Sequence, residues 1–129
     1  LASEVNKYLD QTAPWQQVKT DKAAAGRAIF TALKAIDSLK ILFAPFLPFT
    51  SDRLHGFMGY EGSLFGKQFT ETLKDELGEH EVLRYDPAGA TGQWKPSQLQ
   101  AGHTLRQPQA LFKKLDAAII EEERGRLGK

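Results

Sequence analysis

The sequence predicts an all-α fold, a helical bundle with one long irregular connection. This connection can contain one short strand. Apolar residues recur at helical spacing in residues 21–43 and 109–127, and these two segments dominate the hydrophobic pattern. Hydrophobic residues make up 41% of the 129 residues and charged residues 26%, which is typical of a globular domain with one core. We therefore expect residues 1–129 to form one domain.

Two helices are predicted before the longest one. Val5, Tyr8 and Leu9 would lie on one face of a helix formed by residues 2–11. Proline disrupts a helix interior but suits the first helical position. The chain should therefore break at residues 11–13 and begin a new helix at Pro14.

The clearest helix spans residues 21–43. Thr20 or Asp21 can cap its start by accepting a hydrogen bond from a free backbone N–H group, and three consecutive alanines favour helix. Pro45 and Pro48 should end it. The predicted buried face carries Ile29, Leu33, Ile36 and Phe43.

The second half of the chain is less regular. A helix capped by residues 50–52 is expected to turn Leu54, Phe57 and Met58 inward. Residues 59–107 contain seven glycines and form the irregular connection, with a short helix predicted at 69–77 and a short strand at 81–85. A final helix is predicted at 109–127, with its polar end at 121–124 in water. Its apolar stripe, expected to dock on the bundle, is Leu111, Leu115, Ala118 and Ile119.

Composition limits the classes of partner. Seventeen basic and 16 acidic residues give a net charge of +1, whereas proteins with a broad phosphate-binding surface are usually far more basic. Any RNA binding should therefore be local, through a few side chains, or be helped by another domain. The chain has no cysteine, which fits a cytoplasmic location, and no apolar stretch approaches the roughly 20 residues of a membrane span. Its start lies within a predicted helix, so we interpret it as a fragment of a longer protein.

No catalytic or metal-binding residues are predicted. The sequence lacks a glycine-rich nucleotide-binding motif between a strand and a helix, and its three histidines are far apart. Ser51, Asp52 and His55 have the residue types of a catalytic triad, but helix capping explains Ser51 and Asp52 more simply.

Pro14 and Trp15 form the most informative local motif. A tryptophan at a helix start, if exposed, offers a flat surface on which an unpaired base can stack, with Lys7 and Lys19 available for phosphate contacts. The alternative is that Trp15 packs between two helices, as most tryptophans are largely buried. Physical reasoning alone favours this second interpretation.

Three segments together resemble a known family. They are Asn6-Lys7-Tyr8 followed by Pro14-Trp15, the double-proline segment 42–51, and a closing segment with Trp94, Ala101-Gly102-His103, Pro108 and Leu111-Phe112. In this combination and spacing they are similar to the anticodon-binding domain of methionyl-tRNA synthetase, a class I aminoacyl-tRNA synthetase. The resemblance covers most of the chain but leaves about residues 60–92 without a counterpart or a role.

The resemblance implies a function. Trp15 corresponds to the family's anticodon-contacting tryptophan, and the candidate RNA-binding residues are Trp15, Pro14, Asn6 and Lys7. The expected partners are the anticodon loop of tRNA and a catalytic domain in the same chain. That parent enzyme would join methionine to its tRNA using ATP, while this fragment would need no cofactor and carry no catalytic site. Two alternatives remain: the same domain of another class I synthetase, and a helical protein-interaction domain.

Overall fold

The computed structural model describes residues 1–127 and combines helices with a β-hairpin. In chain order its elements are α1 (Ala2–Thr12), α2 (Pro14–Gln17), α3 (Lys22–Phe43), α4 (Pro48–Phe57), β1 (Lys67–Asp75), β2 (Gly78–Asp86) and α5 (Ala118–Arg126). The prediction of an all-α fold is therefore wrong, because a two-stranded antiparallel sheet occupies part of the connection.

The helical half follows the local rules closely. α1 and α3 begin and end within about one residue of their predicted bounds, and α2 begins at Pro14 as predicted. Asp21 caps α3, since its Oδ1 accepts a hydrogen bond from the backbone N–H of Ala24 at 2.8 Å. Both α1 and α2 pack against α3, which makes α3 the central helix of the bundle.

The buried face of α3 is not the predicted one. Its fully buried apolar residues are alanines 25, 28 and 32, whereas Ile29 and Phe43 are exposed and Leu33 and Ile36 are half-buried. Small side chains let the backbones of neighbouring helices approach closely, so the alanine face of α3 can lie against α1 and α2. The larger apolar side chains consequently remain at the edge of the packed surface.

α4 turns the predicted residues inward, with Met58 buried at its end and Leu54 and Phe57 half-buried. Its predicted cap is absent, because α4 already begins at Pro48. Asp52 is used elsewhere: its Oδ1 accepts hydrogen bonds from the Ser63 hydroxyl at 2.9 Å and from the backbone N–H of Leu64 at 2.7 Å. Asp52 therefore fastens the start of the connection to α4.

The hairpin replaces one predicted element and extends another. The strand expected at 81–85 is confirmed as part of β2, but the helix expected at 69–77 is wrong, since those residues belong mainly to β1 and its turn. Asp75 pairs with Gly78 across the two-residue turn, and Gly78 has a φ of 107°, which glycine adopts without steric cost. The Asp75 carboxylate also accepts a hydrogen bond from Leu77 N, which favours the turn over a helix.

The C-terminal helix is much shorter than predicted. α5 spans only Ala118–Arg126, because the Asp116 carboxylate binds the N–H of Ala118 in a local turn that separates it from the preceding residues. Leu115 is 67% exposed, so the predicted docking of the apolar stripe on the bundle is wrong for this residue. The polar end at 121–124 is exposed, as predicted. Within residues 1–127, none of the helices combines the length and apolar character needed to cross a membrane.

Candidate nucleic-acid interface

A single residue, Ala13, joins α1 to α2. Its N–H donates to the carbonyl oxygen of Leu9 at 2.8 Å, which closes the last turn of α1. Its own carbonyl oxygen accepts from the N–H groups of Gln16 at 2.8 Å and Gln17 at 3.1 Å, which opens α2. The chain therefore passes from one helix to the next without a flexible linker.

Pro14 and Trp15, the two residues just after this junction, differ in their exposure to solvent. Pro14 is buried, whereas the adjacent Trp15 is 56% exposed. Within residues 1–127, no aromatic ring stacks on the indole and no lysine or arginine lies over it. Trp15 therefore does not fill a space between helices, and part of its flat surface faces solvent. α2 has only four residues, so it adds little as an anion-binding helix start.

The other candidate residues lie on α1. Val5, Tyr8 and Leu9 are half-buried on its packed side, while Asn6 and Lys7 are exposed. In the part of the chain that the structure describes, no side-chain hydrogen bond joins Asn6 or Lys7 to the Pro14–Trp15 motif. The structure thus places all four candidates on neighbouring elements, with Trp15, Asn6 and Lys7 accessible and Pro14 inside.

A buried polar cluster, which the sequence did not predict, holds the connection on the helices. Asp37 and Lys40 of α3 are each 4% exposed, and their Oδ1 and Nζ atoms lie 2.5 Å apart. The Tyr60 hydroxyl donates to Asp37 Oδ2 at 2.8 Å, and Lys40 Nζ lies 4.0 Å from the centre of the Tyr60 ring. The sequence did contain a signal for this cluster, because Asp37 and Lys40 are a charged pair at i, i+3 on the otherwise apolar face of α3.

The cluster shifts the pKa values of its members. Burial alone would raise the pKa of Asp37, but hydrogen bonds from Lys40, Ser97 and Tyr60 outweigh it and hold that pKa below its ordinary value. Burial and the neighbouring Asp37 carboxylate raise the pKa of Tyr60 to about 12. Asp37 therefore stays ionised and Tyr60 stays protonated at neutral pH, which keeps the hydrogen bond between them intact.

The rings of His55 and His103 both lie next to the Tyr60 ring of this cluster. The His55 ring stacks on Tyr60 with 4.7 Å between centroids, and the His103 ring lies 5.3 Å from Tyr60. Thr91 Oγ1 lies 2.9 Å from His55 Nε2 and donates its hydrogen to the carbonyl oxygen of Ser63 at 2.7 Å. Because the hydroxyl has one hydrogen, it accepts from His55, so Nε2 carries the ring proton.

This assignment leaves His55 Nδ1 as a bare acceptor, buried and without a hydrogen-bond partner among the described residues. Burial and the nearby Lys40 charge lower the pKa of His55, and they outweigh the opposing carboxylates Asp52 and Asp37. His55 is therefore neutral at physiological pH and serves packing rather than proton transfer.

The geometry gives no catalytic arrangement to the triad-type residues. Ser51 is buried, Asp52 binds Ser63 and Leu64, and His55 binds Thr91, so no side-chain hydrogen bond joins any two of the three within residues 1–127. Over the same residues, no three histidine, aspartate or glutamate side chains are grouped so as to hold a metal ion.

Comparison with known proteins identifies the family. Residues 2–83 match the model of the anticodon binding domain of methionyl tRNA ligase, which is more than half of the chain. The chain belongs to this family. The matched region contains α1, the Ala13 junction, Trp15, the alanine face of α3 and nearly all of the hairpin.

Individual relatives carry the same family name. The chain is 55% identical over 129 residues to a methionine–tRNA ligase of Thermomicrobium roseum and 44% identical over 128 residues to one of Chloroflexus aurantiacus. It is 38% identical to a methionine–tRNA ligase of Dehalococcoides mccartyi. These matches cover 98–99% of this chain but only 22%, 21% and 19% of the respective relatives. The chain thus spans about a fifth of the length of these relatives, and no solved structure matches it.

Proposed function

We propose that this chain reads the anticodon of a methionine tRNA and does so as one part of a methionine–tRNA ligase. The observation that carries the proposal is the half-exposed indole of Trp15, presented beside a buried proline in an anticodon-binding domain. A base lifted out of the anticodon loop can stack on such a surface, and each base–aromatic stack contributes about 1–3 kcal/mol.

The four candidate residues take different roles in this proposal. Trp15 stacks on a base, while Pro14 remains buried and fixes the backbone from which the indole projects. The exposed Lys7 ammonium can contact a phosphate, and the exposed Asn6 amide can donate and accept hydrogen bonds at a base edge. Such recognition is local, which agrees with a net charge of only +1.

The remaining steps of the reaction belong to the rest of the proposed enzyme. We assign methionine activation with ATP to a catalytic domain in the same longer chain, and we place that enzyme in the cytoplasm. This assignment agrees with relatives about five times the length of the chain. The pure 129-residue chain should therefore catalyse no ATP–pyrophosphate exchange, with or without methionine.

The test is a titration of the chain with an anticodon stem-loop RNA carrying CAU, the complement of the methionine codon. Trp15→Ala should weaken binding about 5- to 150-fold, since the stacking contribution is lost, and Trp15→Phe should lose less because a smaller ring still stacks. Trp94→Ala is the matched control, because Trp94 is also exposed, at 72%, but lies outside the α1–α2 junction.

In the longer enzyme, Trp15→Ala should lower tRNA charging while leaving methionine activation intact. The proposal fails if charging is unchanged, or if activation falls in parallel with charging. It also fails if Trp94→Ala weakens the binding of the stem-loop as much as Trp15→Ala does. Stem-loops with other anticodons test specificity: equal affinity for all of them would point to another synthetase or to no anticodon reading.

A further inference from the structure

The junction residue Ala13 has an unusual backbone conformation. Its φ of 38° and ψ of 57° lie in the left-handed region, and it is the only non-glycine residue among residues 1–127 with a positive φ. L-residues with a Cβ atom adopt this region at a steric cost, and glycine is the common choice where a helix ends this way. The surrounding structure must therefore hold Ala13 in place.

The surroundings do so from both sides. The Ala13 N–H is bonded to Leu9 at the end of α1, and its carbonyl oxygen is bonded to Gln16 and Gln17 in α2. The next residue, Pro14, has a fixed φ and is buried. These bonds fix each of the two peptide groups of Ala13 to its own helix, so the φ and ψ of Ala13 set the angle between α1 and α2, and the packing of both helices on α3 holds that angle.

We propose that Ala13 is a positioning residue that aims the Trp15 indole at its RNA base through this left-handed turn. The inference rests on the proposed anticodon function of Trp15. Trp15 is two residues from Ala13, and only the buried Pro14 lies between them. If Ala13 moved to an extended conformation, α2 would keep its bonds to the Ala13 carbonyl oxygen but would turn as a unit relative to α1, and the indole would leave its outward direction.

An alanine at this position does more than a glycine would. Glycine adopts the left-handed region freely, but it also adopts many other conformations, so a glycine junction would let α2 and Trp15 sample several directions. The methyl group of Ala13 narrows that range. Alanine thus gives the indole of Trp15 a defined direction at a steric cost in the free chain. In return, α2 and Trp15 lose less conformational entropy when RNA binds.

Three substitutions of Ala13 test this inference. Asparagine tolerates the left-handed region, valine is excluded from it by its branched Cβ, and glycine permits it without enforcing it. Each is made in a Trp94→Phe background, so that Trp15 is the sole tryptophan and its emission and acrylamide quenching report its surroundings. Affinity for the CAU stem-loop and the far-ultraviolet circular dichroism spectrum are measured alongside.

Ala13→Asn should keep Trp15 emission and RNA affinity within about twofold of the parent. Ala13→Val should retain the helical spectrum, change the emission and quenching of Trp15, and weaken RNA binding about 5- to 150-fold, as Trp15→Ala does. In a Trp15→Ala chain, Ala13→Val should change affinity by less than about twofold, since a residue that acts through Trp15 has no effect without it.

The inference is overturned if Ala13→Val leaves emission and affinity unchanged, or if Ala13→Asn loses as much affinity as Ala13→Val. It is also overturned if the effects of Ala13→Val and Trp15→Ala on affinity are additive in the double variant. If Ala13→Val loses its helical spectrum, the Ala13→Gly variant decides between the two outcomes. Stronger acrylamide quenching of Trp15 together with weaker binding of the CAU stem-loop supports the positioning role, whereas parental quenching and affinity refute it. A Trp15→Ala chain with parental affinity would refute the anticodon proposal itself, while the fluorescence series still decides whether Ala13 orients Trp15.

Discussion

Lowering the pH should destabilise this protein through His55. The His55 ring is 4% exposed, donates from Nε2 to Thr91, and leaves Nδ1 buried without a partner among the described residues. A second proton on Nδ1 would place a buried N–H without an acceptor close to the Lys40 charge. Protonation of His55 is therefore less favourable in the folded chain than in the unfolded chain, so acid favours the unfolded state.

The sign and size of the effect follow from proton linkage. In the unfolded chain His55 takes up its proton near its ordinary pKa of 6.5, whereas in the folded chain its pKa is lower. Between these two values the unfolded state binds more protons, so the free energy of unfolding falls with pH by at most about 1.4 kcal/mol per unit. Its stabilising contribution is complete above 6.5 and is lost as pH falls through this window.

Urea unfolding followed by circular dichroism at about pH 8, 7, 6 and 5 measures this dependence. His55→Gln keeps a donor for Thr91 but cannot titrate, so the decline between about pH 6.5 and 5 should become shallower. Gln68→Ala on the exposed hairpin, which removes no titratable group, is the control and should keep the parental decline. Asp37 does not obscure the window, because its lowered pKa confines its titration to more acidic pH. Equal pH dependence in His55→Gln and the parent would refute the reasoning.

Three further predictions concern stability; the first two are measured by urea unfolding and the third by circular dichroism. Asp37→Asn should cost about 3–5 kcal/mol, because it leaves the Lys40 charge buried and unpaired; a cost below about 1 kcal/mol would contradict this. Leu115→Ala should cost little at 67% exposure, whereas Leu99→Ala, at a buried site, should cost about 2–5 kcal/mol, and equal costs would mean that Leu115 is packed after all. Replacing the β1–β2 hairpin by an Asn-Gly turn should leave the helical circular dichroism unchanged, since the two strands contact chiefly each other; loss of the helices would refute that.

Local sequence rules were sufficient for the starts of the first three helices. The helix over 2–11, the restart at Pro14 and the Asp21 cap follow from side-chain periodicity and capping chemistry, both of which act within a few residues. The face that α3 buries could not be predicted from these local rules. Periodicity identifies a stripe of large apolar residues, but the residues that α3 buries are mainly the smaller alanines.

Long-range contacts explain the errors in the second half. The Tyr60–Asp37 and His55–Thr91 hydrogen bonds join residues 23 and 36 positions apart, so no local pattern predicts them. The hairpin had a local signal, because Phe69-Thr70-Glu71-Thr72-Leu73 contains the β-branched and aromatic residues common in strands and a two-residue turn to Gly78 follows. For the candidate site, sequence alone could not decide whether Trp15 was exposed, and an alanine gives no sign of a left-handed backbone.

The charges of this chain are unevenly distributed between the hairpin and the rest of the molecule. The hairpin, residues 67–86, has six acidic and three basic residues, so the rest of the chain has 14 basic and 10 acidic residues. A net charge of +1 therefore combines about −3 on the hairpin with about +4 elsewhere, and the hairpin repels phosphate. Salt limits this repulsion to about 10 Å from the hairpin. With a positive surplus this small, an anticodon reader has to gain affinity from bases rather than phosphates, which is the contribution that stacking on Trp15 would supply.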